Sequence, residues 1–278
     1  MNTLDILMQA KTQHFCAGAF NAVDYLSTEC IVQAANQTNM PVIVQVSSGT
    51  IDRFGTAALV DFVKTASRNA SVPVCLHLDH GKKPEVIKQA VLDGFDSVMF
   101  DGSSLPFDQN VSQTREIVEF AHAHGVSVEG EIGVVAGVED DIVVNQDDAI
   151  YTTPEEAIRF QNLSGCDFLA AAIGTAHGLY KVKPRLNIAT LREINAAVSY
   201  PLVVHGGTGL SDETVKELVA AGAAKFNVST QLKHTYIDAL YNYISLKREE
   251  YNILKVLAAA RDEITAMTAR YINLLANR

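Results

Sequence analysis

The sequence predicts an α/β fold: a single (β/α)8 barrel over residues 1–278, with a helical C-terminal extension over 229–278. Three observations predict it. Eight apolar, β-rich runs alternate with helix-period segments along the chain. Each run is hydrophobic almost without interruption, as parallel strands covered on both faces are. Polar residues able to do chemistry collect where the runs end, which the C-terminal rim of such a TIM barrel requires. A doubly wound open sheet would instead want a G-x-G-x-x-G turn after its first strand and two unlike halves, and the chain has neither.

In order, the runs are CAGAF (16–20), leading to Asn21; PVIVQV (41–46), leading to Ser47 and Ser48; VPVCLHL (72–78), leading to Asp79 and His80; and DSVMF (96–100), leading to Asp101. They continue with VSVEGEI (126–132), carrying Glu129 and Glu131; DFLAAAI (167–173), with His177 just beyond; PLVVH (201–205), closed by His205; and AKFNV (224–228), with Asn227 and then Thr230. Between them, PEVIKQAVLDG (84–94) places Pro84 near a helix start and Gly94 past its end, and TREIVEFAHAHG (114–125), PEEAIRFQNLSG (154–165) and SDETVKELVAAG (211–222) close the same way. The stretch 133–153 is polar and acidic and is expected to form an irregular, mobile loop over the site. Residues 229–278 exceed one covering helix and are expected to pack across the barrel or against another subunit.

Composition narrows the function. A chain of 278 residues, 48% of them hydrophobic, can bury a large core. No segment approaches the span of a membrane helix, and the opening MNTLDILMQAKTQHF lacks the pattern of a signal peptide, so a cytoplasmic protein with no membrane role is expected. Cys16, Cys30, Cys75 and Cys166 are widely spaced in apolar surroundings and read as buried reduced thiols. The net charge of −10 argues against a nucleic-acid partner, which would need clustered cations, but permits a small anion held locally by a metal and helix N-termini.

A single histidine beside an apolar run is more often a hydrogen-bonded core or loop residue than a ligand. His80, His177 and His205 stand at equivalent strand ends, however, and three such imidazoles can converge on one Zn²⁺ while leaving a coordination position open. His14, His122, His124 and His234 lie in helix-like or terminal stretches and read as surface or packing residues. His77 shares the face of Asp79 by alternation and stays open between the two readings. A second constellation suits phosphate. HGGTGLSDET (205–214) and NVSTQLK (227–233) follow the last two runs, bringing glycines, a helix start, and the hydroxyls of Thr208, Ser229 and Thr230 to the recurrent anion site of such barrels.

Six motifs then carry a resemblance: LHLDHG (76–81), SVMFDGS (97–103), SVEGEIGVVAGVEDD (127–141), AIGTAHGLYK (172–181), LVVHGGTGL (202–210) and KFNVSTQLK (225–233). Together they resemble the class II, metal-dependent ketose-bisphosphate aldolases, and GVEDD, AIGTAHGLY and Lys233 are most similar to the tagatose-1,6-bisphosphate branch. The resemblance implies one catalytic zinc per subunit on His80, His177 and His205, and cleavage through a zinc-stabilised enediolate to dihydroxyacetone phosphate and glyceraldehyde 3-phosphate. It implies Asp79 as the base at the C4 hydroxyl, Glu139 as the acid on the loop that protonates carbon, and Asn227 as the amide that binds the enediolate. Gly178, Gly206, Gly207, Thr208 and the segment Asn227 to Thr230, including Ser229, would hold the first phosphate, helped by a monovalent cation, Na⁺ or K⁺. Asn21 and Ser47 would meet the substrate, Ser47 at its distal end, and Lys233, contributed across a subunit contact, the second phosphate. Asp101 and Glu131 match either a second metal position or groups that orient the histidines. A homo-oligomer, dimer or tetramer, is implied, as is a partnership with an accessory subunit.

The chain also departs from the pattern. Ala136-Gly137 replaces a usual Gly-Gly, TIDRFG (50–55) fits neither the fructose nor the tagatose branch and leaves Arg53 open, and the ending YINLLANR lacks the glycines of the family. Fructose 1,6-bisphosphate, the C4 epimer, or another phosphorylated ketose is the alternative substrate. Of other classes, a metal-dependent hydrolase has no need of two phosphate loops, and a non-catalytic accessory subunit has no need of the three histidines with Asp79 and Glu139.

Overall fold

Strands apolar on both faces cannot present either face to water, and this chain closes them on themselves. The computed structural model describes residues 1–139, 142–144, 150–178 and 186–278, with the backbone alone at 136–139, 142–144 and 177. Its strands are β1 (Ala17–Asn21), β2 (Val42–Val46), β3 (Val74–Gly81), β4 (Ser97–Phe100), β5 (Ser127–Ile132), β6 (Ala136–Glu139), β7 (Ile142–Val144), β8 (Phe168–Ala171), β9 (Ala176–His177), β10 (Leu202–Val204) and β11 (Ala223–Val228). Eight of these form a closed, all-parallel barrel in the order β1-β11-β10-β8-β5-β4-β3-β2. The eight apolar runs therefore coincide with the barrel strands, with ends that differ by at most three residues.

The helices are α1 (Thr3–Gln13), α2 (Tyr25–Thr38), α3 (Ser48–Phe54), α4 (Thr56–Ala66), α5 (Pro84–Asp93), α6 (Phe107–His122), α7 (Pro154–Ser164), α8 (Ile188–Ala197), α9 (Asp212–Ala220), α10 (Thr230–Leu246) and α11 (Ile253–Leu275). Local chemistry sets their ends. α7 begins with a Thr153/Glu156 capping box and Pro154 in its first turn, and stops at a left-handed Gly165. α6 starts seven residues before the run TREIVEFAHAHG, at Phe107, because Asn110 and Val111 already turn inward from its first turns. α1 stands outside the eight strand-helix units and packs Ile6, Leu7 and Ala10 beneath β1, β3 and β11, closing the N-terminal end of the barrel.

One segment differs from the sequence reading, and the C-terminal extension agrees with it. The stretch 133–153 contains an antiparallel hairpin, β6 with β7, and β6 also pairs in parallel with β9, so the connections after β5 and β8 are stitched into one small sheet. Residues 140, 141 and 145–149 of that stretch lie outside the described residues. In the C-terminal extension, α11 is the covering helix that lies over β1 between α9 and α2, and α10 packs on α11. α10 exposes Ile237, Tyr241, Ile244 and Leu246, the connection to α11 exposes Tyr251, and the start of α11 exposes Ile253 and Leu254. All four cysteines are buried and unpaired, and burial pushes the Cys75 and Cys166 thiols up to about 12.

Candidate active site

His80, the last residue but one of β3, has a conformation that L residues seldom adopt, φ +49°, where the β3–β4 register shifts between Leu78 and Gly81. The kink breaks the alternation that would send residue 80 outward, and turns its ring over the barrel mouth. There Nδ1 lies 2.9 Å from Asp101 Oδ2 and 3.6 Å from Glu131 Oε2. His205 follows β10 directly, with Nε2 2.8 Å from Glu129 Oε1 and Nδ1 3.0 Å from His80 Nε2.

Electrostatics assigns the protons. Burial would raise the Asp101 carboxyl, but His80 and two hydrogen bonds from Ser103 hold it well below the usual carboxylate range. Burial acts the same way on Glu129, and is overcome by the Lys225 ammonium and by hydrogen bonds from His205 and His77. Both carboxylates therefore only accept, so His80 Nδ1 and His205 Nε2 are the N–H sides of their rings. The two nitrogens that face each other at 3.0 Å then both carry lone pairs. A proton between them would need an imidazolium, and burial pushes the His205 ring below its ordinary value. A divalent cation answers the geometry: Zn–N bonds of about 2.0–2.1 Å in a tetrahedron place two nitrogens about 3.3 Å apart. The carboxylate behind each ring is the usual support of such ligands. Asp79, His80 and His205 offer ligand atoms within 4.8 Å of one another, as do His80, Asp101 and Glu131. Burial and then the Asp101 charge push Glu131 well above the carboxylate range. The backbone of His177 lies in β9 beside Gly137, and its side chain, like that of Glu139 in β6, lies outside the described residues.

Asp79 also lies near the end of β3, just before His80, and is held by three side-chain amides at the mouth. Oδ2 accepts from Asn21 Nδ2 at 2.9 Å and Gln45 Nε2 at 3.1 Å, and Oδ1 accepts from Asn227 Nδ2 at 3.1 Å. Below this layer Lys225, fully buried, reaches Asn227 Oδ1 at 2.8 Å and Glu129 Oε2 at 3.0 Å. His77 is a core residue of the same layer, bonded to Ser97 Oγ at 2.8 Å and 3.3 Å from Glu129. Gln45 and Lys225 escaped the sequence reading. Their signal was alternation: Gln45 is the lone polar residue of PVIVQV, and Lys225 stands two residues from Asn227 on the same strand face.

Gly178, Gly206, Gly207, Thr208, Asn227, Ser229 and Thr230 line a small cleft beside Asp79. Gly206 has φ +67°, and a Cβ there would stand 2.5 Å from Ala176 O, so glycine is what lets the two loops meet. α10 begins at Thr230 and aims its first N–H groups at the cleft, and Gln231 N donates to Thr208 Oγ1 at 3.3 Å. Ser229 Oγ is buried with no hydrogen-bond partner among the described residues. Lys233 is half-buried in the first turn of α10, Ser47 caps α3 at the end of β2, and Arg53 is exposed at the end of that short helix.

The chain matches the family model "Fructose-bisphosphate aldolase class-II" over residues 1–278. Its structure is similar to that of a Coccidioides immitis protein assigned as a fructose-1,6-biphosphate aldolase, with a TM-score of 0.89 and 30% identity over 99% of this chain and 96% of that one. It is also similar to the YdjI aldolase from Escherichia coli K12, with a TM-score of 0.86 and 30% identity over 98% and 95% of the two chains. A fructose-bisphosphate aldolase from Campylobacter jejuni shares the fold at 23% identity, with a TM-score of 0.82 over 99% and 98%.

Proposed function

Because the chain belongs to the class II fructose-bisphosphate aldolase family, a typically metal-dependent group of lyases, we propose that it reversibly cleaves a ketose 1,6-bisphosphate to dihydroxyacetone phosphate and glyceraldehyde 3-phosphate, with tagatose 1,6-bisphosphate preferred. The observation that carries this reading is Asn227. Its amide both lines the anion cleft and holds Asp79, so a substrate phosphate and the candidate base are set at a fixed separation beside the paired histidines. Fructose 1,6-bisphosphate is the second reading, favoured by the names of the family and of two structural neighbours.

His80 and His205, joined by His177, would hold the metal, taken to be Zn²⁺, which when bound supplies Lewis acidity to the carbonyl and hydroxyl oxygens of the substrate. Asp79 removes the C4 hydroxyl proton as the C3–C4 bond breaks. The aldehyde forms at C4, and the electron pair passes to C3 and its neighbouring carbonyl. Asn227, turned by its contacts to present Nδ2, donates to the oxygen that gains charge. Glu139 returns a proton to C3. Gly178, Gly206, Gly207, Thr208, Ser229 and Thr230 hold the first phosphate, helped by Na⁺ or K⁺; Asn21 supports Asp79, and Ser47 and Lys233 face the far end of the substrate. Asp101 fixes the ring of His80, and with Glu131 offers the metal an alternative position. A cytoplasmic location is part of the proposal; no helix among the described residues is long and apolar enough to cross a membrane.

The deciding assay follows dihydroxyacetone phosphate release from tagatose and fructose 1,6-bisphosphate, side by side, on zinc-loaded and chelator-stripped protein. Metal-dependent release is expected from both, with the higher kcat/KM on tagatose 1,6-bisphosphate. A higher value on the fructose epimer reverses the preference, and silence on both from metal-loaded protein overturns the substrate class. We further expect a homo-oligomer. The apolar side chains exposed on α10, the α10–α11 connection and the start of α11 support it, being close neighbours along the chain where a soluble monomer usually shows apolar residues singly. Sedimentation velocity should return a dimer or tetramer, and Tyr241→Glu should shift it toward monomer; a wild-type monomer at micromolar concentration would sink the expectation.

A further inference from the structure

Lys225 takes no part in the chemistry above, yet its ammonium joins the two arms of the site. It lies on β11, fully buried, two residues before Asn227, and its contact with Glu129 crosses the lumen to β5. From Lys225 one path runs through Asn227 to Asp79 and the other through Glu129 to His205 and His80. An apolar lumen would cost less to build, because a buried ion pair must offset the desolvation of both charges. A lysine kept there needs a reason beyond stability.

Donor chemistry supplies one. An amide side chain has two ends of nearly equal shape, and only its partners decide which way it faces. The ammonium donates and never accepts, so Asn227 must turn Oδ1 toward it, at 2.8 Å, and that leaves Nδ2 toward Asp79 and the cleft. On the other side the same ammonium holds Glu129 Oε2 at 3.0 Å, which leaves Oε1 for His205 Nε2–H and so keeps Nδ1 of that ring turned toward His80. We propose that Lys225 is a positioning residue, whose hydrogen bond to Asn227 sets the orientation of that amide and whose ion pair with Glu129 sets, through that carboxylate, the ring orientation of His205. The Asn227 half rests on the aldol reading above; the His205 half concerns metal binding alone.

The test compares Lys225→Met with Lys225→Gln, two neutral side chains of similar length of which only the second can donate. Groups that support ligands and catalytic side chains from behind are typically worth about 10–100-fold in metal affinity or rate. Lys225→Met should lose that much in kcat at a KM within about threefold of wild type, and should bind Zn²⁺ correspondingly more weakly in competition with a chromophoric chelator. Lys225→Gln should recover most of kcat at saturating zinc, through donation to Asn227, but not the zinc affinity, which rests on the ion pair with Glu129. Wild-type values in Lys225→Met, or equal kcat losses in the two variants at saturating zinc, would overturn the proposal, the second by showing that charge and not donation orients Asn227. A wild-type protein silent on ketose bisphosphates would count against the aldol reading instead, while the chelator competition still decides the role of Lys225. Should Lys225→Met fail to fold, both variants are remade with Glu129→Gln, which removes the charge left behind, and the kcat comparison decides the Asn227 half; Glu129→Gln alone should then bind zinc more weakly than wild type, and equal binding would overturn the His205 half.

Discussion

Asp79→Ala is expected to lower kcat for ketose-bisphosphate cleavage by about 10²–10⁴-fold, the usual worth of a positioned general base, while the protein keeps its metal. The carboxylate is 1% exposed and receives donors from Asn21, Gln45 and Asn227, so nothing in the free protein competes to move it from the mouth of the barrel. Metal retention follows from the ligand geometry, because the nitrogens that face each other belong to His80 and His205 and keep their carboxylate supports without Asp79. Alanine also strands buried N–H donors at a cost of about 1–3 kcal/mol for each left unsatisfied, so the variant should melt lower. Asn21 Oδ1, already accepting from Gln45 at 2.6 Å, limits that loss. Asp79→Asn separates the two effects: it restores an acceptor and most of the stability but no base. Triose phosphate release measured with zinc content by atomic absorption checks all of this, and Asp79→Ala cleaving at the wild-type rate would remove the residue from the mechanism.

What was legible in the sequence followed from burial. Strands covered on both faces leave unbroken apolar runs, and all eight barrel strands were found from that signal alone. The β6–β7 hairpin was not, because strands of four and three residues with glycine and acidic neighbours are too short to show a period of two. The start of α6 was read late for a related reason: FDQNVSQ carries few apolar residues per turn. At the site, Asp79, His80, His205 and Asn227 were visible because strand ends announce them, and the structure brings these four together. Gln45 and Lys225 were hidden because a linear pattern tells which face a residue shares but not what stands across the lumen. Only closure of the barrel places Lys225 of β11 against Glu129 of β5.

His205→Ala should be more damaging than the loss of Asp79, since it removes the metal as well as the chemistry. Its Nδ1 forms half of the facing nitrogen pair, and its loss leaves two of the three proposed histidine ligands, His80 and His177, short of the three protein ligands a catalytic zinc usually takes. Removing a group that merely supports a ligand costs about 10–100-fold in affinity, so removing the ligand itself should cost more than about 100-fold. The buried Glu129 also loses the Nε2–H donor to Oε1, although Lys225 continues to hold Oε2 and keeps the carboxylate paired. The variant should therefore fold, with a lower Tm, and carry less than about a tenth of the wild-type zinc after dialysis against a weak chelator. The contrast between the two substitutions is what tests the arrangement. Asp79→Ala holds metal and does not turn over, whereas His205→Ala holds little metal and is not rescued by added zinc at concentrations that saturate the wild type. A His205→Ala protein with full zinc occupancy would show that the ion sits elsewhere, and the alternative group of His80, Asp101 and Glu131 would then be the place that holds it.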